Sequence, residues 1–326
     1  MEITNETFIT RAKKVANRVF RHENGVLLII LIALVAVLGI MTHGLTVSKG
    51  NITNILVQSS TRGIAAIGQL FVILTAGIDL SVGGVALFAG VLGAKLMSGT
   101  VGFPTSVIAL MFIVPIGVGA ASGALVSRAY IPALIATLGM WRILDGGAYM
   151  INDGSTIRNL PDSINQFGTG VIGGVPVPVI FFIVIAVIAY FILNHTTFGR
   201  SIYATGGNPV SAWLSGVNTK RVIHMSYIIS GFLAGVAGLI LMSRVMCGSM
   251  TLGTGLEMDS IAAVCVGGVS LSGGRGSLIG AVIGVIIIGV INNGMNVFAL
   301  NPALQDITKG AIIIAAVWVD QIRRRR

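Results

Sequence analysis

The residues best placed to do chemistry in this sequence are ionisable and amide side chains set inside long apolar runs. Arg62 shares one run with Gln58 and Gln69 and has no acid at helical spacing on either side. Arg142 with Asp145, and Asp306 with Lys309, are i,i+3 pairs of opposite sign that would share a helix face. Such pairs either neutralise each other or line a polar pathway. Asp79 and Ser81 sit in a Gly-rich break, 77–84, where a carboxylate could cap a helix N-terminus or face a polar pathway. Asn292, Asn293 and Asn296 cluster near the end of a later run. Polar groups at membrane depth are costly, so each one carries a functional expectation. We expect Gln58, Arg62, Gln69, Asp79, Ser81, Asn292, Asn293 and Asn296 to line a pathway. A wall rich in amides and hydroxyls, with few unpaired charges, suits a polar, uncharged solute.

Hydrolytic chemistry finds no support. The four histidines, His22, His43, His195 and His224, fall at the ends or flanks of apolar runs, with no H-E-x-x-H or G-x-S-x-G spacing. The two cysteines, Cys247 and Cys265, make neither a metal cluster nor a disulfide framework. The string Leu271-Ser272-Gly273-Gly274-Arg275-Gly276 is similar to the signature motif of ABC ATPases. A nucleotide site also needs a G-x-x-x-x-G-K-[ST] loop after a strand, and none is present. We therefore expect a Gly-rich turn between two helices, no enzyme activity, and no cofactor on this chain. Proton-driven transport would need a chain of buried acids or histidines, and a passive channel would need a ring-forming filter motif. Neither is visible.

These side chains must be positioned by membrane-spanning helices. Only 10% of the 326 residues are charged and 54% are hydrophobic, with a mean hydropathy of +0.93. Soluble domains carry about 25% charged residues, so this chain cannot cover itself with water-facing surface. Forty-four glycines and 6% aromatics suit helices packed on small residues rather than a β-barrel. Apolar runs fall at 26–41, 54–76, 82–98, 104–127, 131–150, 176–193, 222–242, 256–270, 276–297 and 303–319. This predicts an all-α integral membrane protein with about ten transmembrane helices, each needing about 20 residues. The weak spots are the break at 77–84 and the short eighth run.

Ten spans sort the basic residues. Fourteen fall on one side, among them Arg11, Lys13, Lys14, Arg18, Arg21, Arg128, Arg200, Lys220, Arg221, Arg275 and the terminal four arginines, against Lys49, Arg158 and Arg244 on the other. The richer side is expected to be cytoplasmic. That gives a basic cytoplasmic arm at 1–25, one transmembrane domain at 26–320, and a basic cytoplasmic tail at 321–326. The net charge of +10 is thus explained by topology, and nucleic acid is not expected as a partner. Two connections are long: an outer loop at 152–175 and a cytoplasmic segment at 194–221. In the latter, Gly206-Gly207 is expected to give a tight turn, and Asn208 to cap a short helix beginning at Pro209. The stripes Gly276/Gly280/Gly284 and Gly231/Gly235 should let backbones pack closely. A faint repeat relates 77–93 to 268–284, with seven of 17 positions identical.

Several strings together resemble the permease subunits of ribose-type sugar ABC importers. They are Gly77-Ile78-Asp79-Leu80-Ser81-Val82-Gly83, Ile135-Ala136-Thr137-Leu138-Gly139, Tyr203-Ala204-x-Gly206-Gly207-Asn208, Ser215-Gly216, Ile261-Ala262-Ala263-x3-Gly267-Gly268 and Ile291-Asn292-Asn293-Gly294-Met295-Asn296. They cover nearly the whole chain in order. The resemblance implies a bacterial inner-membrane complex with both termini cytoplasmic. Its partners would be a second permease subunit, identical or a sister, a cytoplasmic ABC ATPase carrying ATP and Mg, and an extracytoplasmic sugar-binding protein. It further implies that Ala204, Gly206, Gly207, Asn208, Pro209, Trp213, Ser215 and Gly216 couple the permease to its ATPase. One departure stands out. Where the family pattern follows Gly-Gly-Asn with two alanines, this chain reads Pro209-Val210-Ser211-Ala212-Trp213.

Overall fold

A computed structural model describes residues 23–100, 102 and 104–325. The basic arm expected at 1–25 lies outside the described residues except for its last three positions, and so does Arg326. Each of the ten apolar runs becomes a helix. In chain order these are α1 (Glu23–Met41), α2 (Lys49–Leu74), α3 (Val82–Met97), α4 (Thr105–Ser127) and α5 (Ala133–Asn152). The connection expected to be an outer loop follows, with the one-turn α6 (Asn165–Thr169) and a small hairpin of β1 (Val171–Ile172) against β2 (Val175–Pro176). Then come α7 (Val177–His195), the connecting helices α8 (Thr197–Gly207) and α9 (Pro209–Leu214), α10 (Thr219–Val245), α11 (Leu256–Val266), α12 (Leu278–Val297) and α13 (Pro302–Arg325).

Six of these helices, α1, α4, α7, α10, α12 and α13, are long and apolar enough to cross a membrane. The other four runs differ for physical reasons. The helix α2 has 26 residues, ample length at about 1.5 Å rise each, but it carries Gln58, Ser59, Ser60, Thr61, Arg62 and Gln69. Ser59, Ser60, Thr61 and every residue from Gly63 to Leu74 are buried, so these polar groups meet protein rather than lipid, while Gln58 and Arg62 are half-buried. Helix α5 holds Arg142 and Asp145 among its 20 residues. Helix α3 has 16 residues, and α11, in the expected eighth span, has 11. At about 1.5 Å per residue α11 reaches roughly half of a 30 Å hydrocarbon core.

The helix α10 forms the axis of the bundle, packed by α4, α2 and α3. Small residues permit this. A Cβ on Gly231 would strike the Pro115 carbonyl of α4, and one on Gly119 would strike the Tyr227 carbonyl of α10. Gly238 lies as close to Ala86 of α3. The stripe on α12 packs on α11, with Gly280 against the Gly267 carbonyl and Gly284 against the Ala263 carbonyl. With no hydrophobic drive between helices inside lipid, such close van der Waals packing supplies the cohesion.

Connections gather at two ends. At one, Lys220 lies over the Tyr130 ring at 5.0 Å, and the turn after α11 meets the end of α2 through a Gly274 N–H to Leu74 carbonyl bond of 3.0 Å. At the other, Gly99 donates to the Asn159 carbonyl at 3.1 Å, and Ile157 and Gly248 exchange backbone bonds of 2.8 and 2.9 Å. The two stretches of the faint repeat each run from a break into the following helix, α3 or α12, and the second break touches the end of α2, just before the first, at Gly274 and Leu74.

Candidate functional site

The segment between α7 and α10 builds a protruding surface. Thr196 opens α8 by accepting from the Gly199 amide at 3.1 Å. Asn208 adopts an extended backbone, φ −158° and ψ 103°, and its side-chain oxygen accepts from the Val210 and Ser211 amides at 3.0 and 2.9 Å. Pro209 occupies the first position of α9, where its missing N–H leaves nothing unpaired. Ala212 anchors α9 inward, while Val210, Trp213 and Leu214 point out, Trp213 at 65% exposure. Ser215 closes the helix and Gly216, at φ +86°, reverses the chain toward α10. Ala204 is exposed.

One expectation needs correcting. Gly206 and Gly207 do not form a tight turn; both are helical, as the last residues of α8, and the reversal falls on Asn208. What the missing side chain at Gly206 provides is proximity. A Cβ there would collide with the Leu74 carbonyl and come within 2.6 Å of the Gly274 nitrogen, whereas one on Gly207 would meet nothing within 4 Å. The turn Leu271–Gly276 is Gly-rich because Gly273, Gly274 and Gly276 all have positive φ. Its Gly276 carbonyl accepts from the Tyr203 hydroxyl at 3.1 Å, and burial pushes that phenol above its ordinary pKa. The protruding segment therefore bears directly on the ends of α2 and α11.

Gln69, Asp79 and Ser81 come together at the break between α2 and α3. The Asp79 carboxylate is buried and accepts from Ser81 N–H at 2.9 Å, Ser81 Oγ at 2.6 Å and Ser230 Oγ of α10 at 2.7 Å. Oriented to satisfy both neighbours, the Gln69 amide donates to the Asp79 carbonyl at 3.0 Å and accepts from its N–H at 3.2 Å. Thr137 of α5 accepts from the Leu80 N–H at 3.1 Å, and Tyr227 donates to the Ile78 carbonyl at 3.3 Å. Four polar side chains, Gln69, Asp79, Thr137 and Tyr227, thus replace helical bonds that the break forgoes.

Arg62 finds a partner that spacing could not supply. Its Nε lies 2.9 Å from Oδ2 of Asp259 on α11. Lys309 of α13 approaches the other Asp259 oxygen at 3.4 Å and Asp306 at 3.8 Å. Asn292 of α12 donates to Asp259 at 3.4 Å. The remaining candidates lie apart from this group. Asn293 forms a reciprocal amide pair with Asn51 at 2.8 Å in both directions, Asn296 accepts from Gln305 at 3.1 Å, and Gln58 is half-buried on α2. Asp259 is the partner of Arg62 that sequence reasoning missed. The available signal was an unpaired cation in one run and an unpaired acid in another, 197 residues on.

Arg142 and Asp145 stand 4.0 Å apart on α5, with Arg142 also 4.4 Å from the Trp141 ring. Arg142 is the tenth of the 20 residues of its helix, and its side chain is 68% exposed. A guanidinium midway along a membrane-spanning helix is strongly disfavoured against lipid.

The chain is 40% identical over 298 residues to a ribose import permease protein of Haemophilus influenzae, covering 90% of each chain. It is 38% identical over 325 residues to the D-allose transport system permease protein of Escherichia coli, covering 97% of this chain and 98% of the other. A fructose import permease protein of Rhizobium meliloti is 36% identical over 320 residues, covering 94% and 88%. No solved structure matches. The family described as the permease component of the branched-chain amino acid transport system matches residues 51–317. With that match across most of its length and six long apolar helices among the described residues, the chain is a multi-pass membrane protein and belongs to this family of transport permeases.

Proposed function

We propose that this chain is the membrane-spanning subunit of an ATP-driven importer and that its cargo is a sugar, of the pentose or hexose class. The observation that carries the reading is the capped helix α9, which presents exposed Val210, Trp213 and Leu214 while Gly206 rests on the ends of α2 and α11. A helix so placed can receive force from a cytoplasmic protein and pass it into the bundle. Relatives named for ribose, allose and fructose support the sugar class. The family's description mentions branched-chain amino acids, which makes those the competing cargo to test.

In this reading α2, α3, α5 and α11 complete a set of ten spans, with both termini in the cytoplasm of a bacterial inner membrane. ATP and Mg bind a separate ABC ATPase, and this chain needs no cofactor. An extracytoplasmic binding protein delivers the sugar. Arg142, too exposed for lipid, faces either a second permease subunit or the water-filled pathway between the two. Gln58 and Arg62 of α2 and Asn292 of α12, the last two against Asp259, are the pathway candidates. Gln69, Asp79 and Ser81 hold the neighbouring break in shape.

The test is ATP hydrolysis by the complex of this chain, its ATPase and its binding protein in liposomes. Sugar-loaded binding protein should stimulate hydrolysis severalfold. A facilitator would instead let the chain alone equilibrate radiolabelled solute across liposomes, with no ATPase bound.

A further inference from the structure

Asp259 sits at an unusual place in the fold. It is the fourth residue of α11, an 11-residue helix, and it meets Arg62, the fourteenth of the 26 residues of α2. The half-length helix therefore begins beside the middle of a full-length one. Transport proteins use such discontinuous helices to bring polar groups to the centre of the membrane.

The charges gathered there balance. Arg62 and Lys309 face Asp259 and Asp306, so the group as a whole is neutral. Its exposures are graded. The Asp259 side chain is 5% exposed, Lys309 20%, Arg62 30% and Asp306 78%. The group is thus open on the side of Asp306 and closed behind Asp259. Hydrogen bonding around Asp259 is incomplete: Arg62 Nη1, Asn292 Oδ1 and Oδ1 of Asp259 itself are buried without a hydrogen-bond partner, and the whole of Asn292 is only 2% exposed. A spare charged donor beside spare carboxylate and amide acceptors suits a ligand whose groups both donate and accept. A hydroxyl does both.

We propose that Arg62 and Lys309, held by Asp259, form a hydroxyl-binding station for the sugar in mid-membrane. This rests on the sugar reading above. Asp259 faces two cations, Arg62 and Lys309, so its charge is already offset before the ammonium of a zwitterionic cargo could use it. Arg62 and Lys309 would donate to sugar hydroxyls, Asn292 would accept from one, and Asp259 is a positioning residue that fixes the two cations.

The experiment is ATP-dependent uptake by the full complex in proteoliposomes, comparing the preferred sugar with its single-deoxy analogues. In wild type the parent sugar should be carried several times faster than the analogue lacking the contacted hydroxyl. Arg62→Gln and Lys309→Gln should each lower maximal uptake of the parent at least tenfold and of that analogue less than threefold, so discrimination collapses. Half-saturation, set by the binding protein, should not move. Asp259→Asn should lower uptake as much as either cation variant, and Asp259→Glu should restore at least a third of the wild-type rate. Assembly is judged on Lys309→Gln, because α13 packs chiefly on α11 and its loss of charge leaves the central bundle alone. Wild-type discrimination in the variants overturns the station, and so does an equal fall for parent and analogue. Uptake of amino acids and no sugar by wild type overturns the sugar reading and the station together.

Discussion

The Gly274 amide donates to the Leu74 carbonyl at 3.0 Å, and Gly206 packs into the same spot from α8. Three segments far apart in sequence meet at one point: the end of α2, the turn after α11, and the helix preceding the exposed Trp213. In the proposed function, a push on α9 would be delivered there.

Gly206→Ala places a methyl against backbone that cannot yield locally, so it should destabilise the protein by about 1–3 kcal/mol. Gly207→Ala, next in sequence, enters open space and should stay within about 0.5 kcal/mol. Thermal unfolding of the purified protein checks the contrast. Equal melting temperatures for both variants would remove Gly206 from the account.

Asn208 offers a subtler test. Replacing it with Ala removes two bonds to α9 amides and should cost about 1 kcal/mol. Asn208→Asp keeps the acceptor and should be near neutral. Amide hydrogen exchange over 210–214 should accelerate roughly fivefold in the Ala variant, the factor that about 1 kcal/mol implies.

Trp213→Ala should leave membrane insertion intact and weaken the hold on the ATPase. A central exposed aromatic in a protein interface is worth at least about 2 kcal/mol, so co-purification of the ATPase should fall about 30-fold in apparent affinity. Intact complexes with normal stimulated hydrolysis would show that Trp213 only anchors the segment at the lipid interface.

Asp79 tests the break. Asp79→Ala leaves Ser81 and Ser230 hydroxyls buried without an acceptor and should cost at least about 2 kcal/mol. Ser230→Ala removes one of three bonds and should cost about 1 kcal/mol. In a double-mutant cycle the two should be non-additive, since they share one bond.

Orientation follows from the basic residues. Cysteines placed at Asn5 and Gln321, in a background lacking Cys247 and Cys265, should resist impermeant thiol reagents in intact cells. Labelling at either position would contradict cytoplasmic termini.

Local features were the legible ones. Every apolar run is a helix because lipid and core both select apolar residues, and Asn208-Pro209 opens α9 because capping depends on neighbours alone. Arg62–Asp259 was not legible, because no spacing rule joins residues on helices separated by most of the chain. The role of Gly206 was misread for a related reason. Turn chemistry and close packing both favour glycine, and only the nearness of Leu74 and Gly274 distinguishes them. The shortness of α11 was hinted at by its run, but the half-span geometry depends on where its first turn meets α2.

The most direct test of the whole account is accumulative uptake by proteoliposomes holding this chain with its ATPase and binding protein. Pentoses, hexoses and branched-chain amino acids are offered in parallel, with and without ATP. The account predicts ATP-dependent accumulation of at least one sugar above its external concentration and no accumulation of leucine, isoleucine or valine. Accumulation of those amino acids alone, or sugar equilibration that ignores ATP, would contradict it.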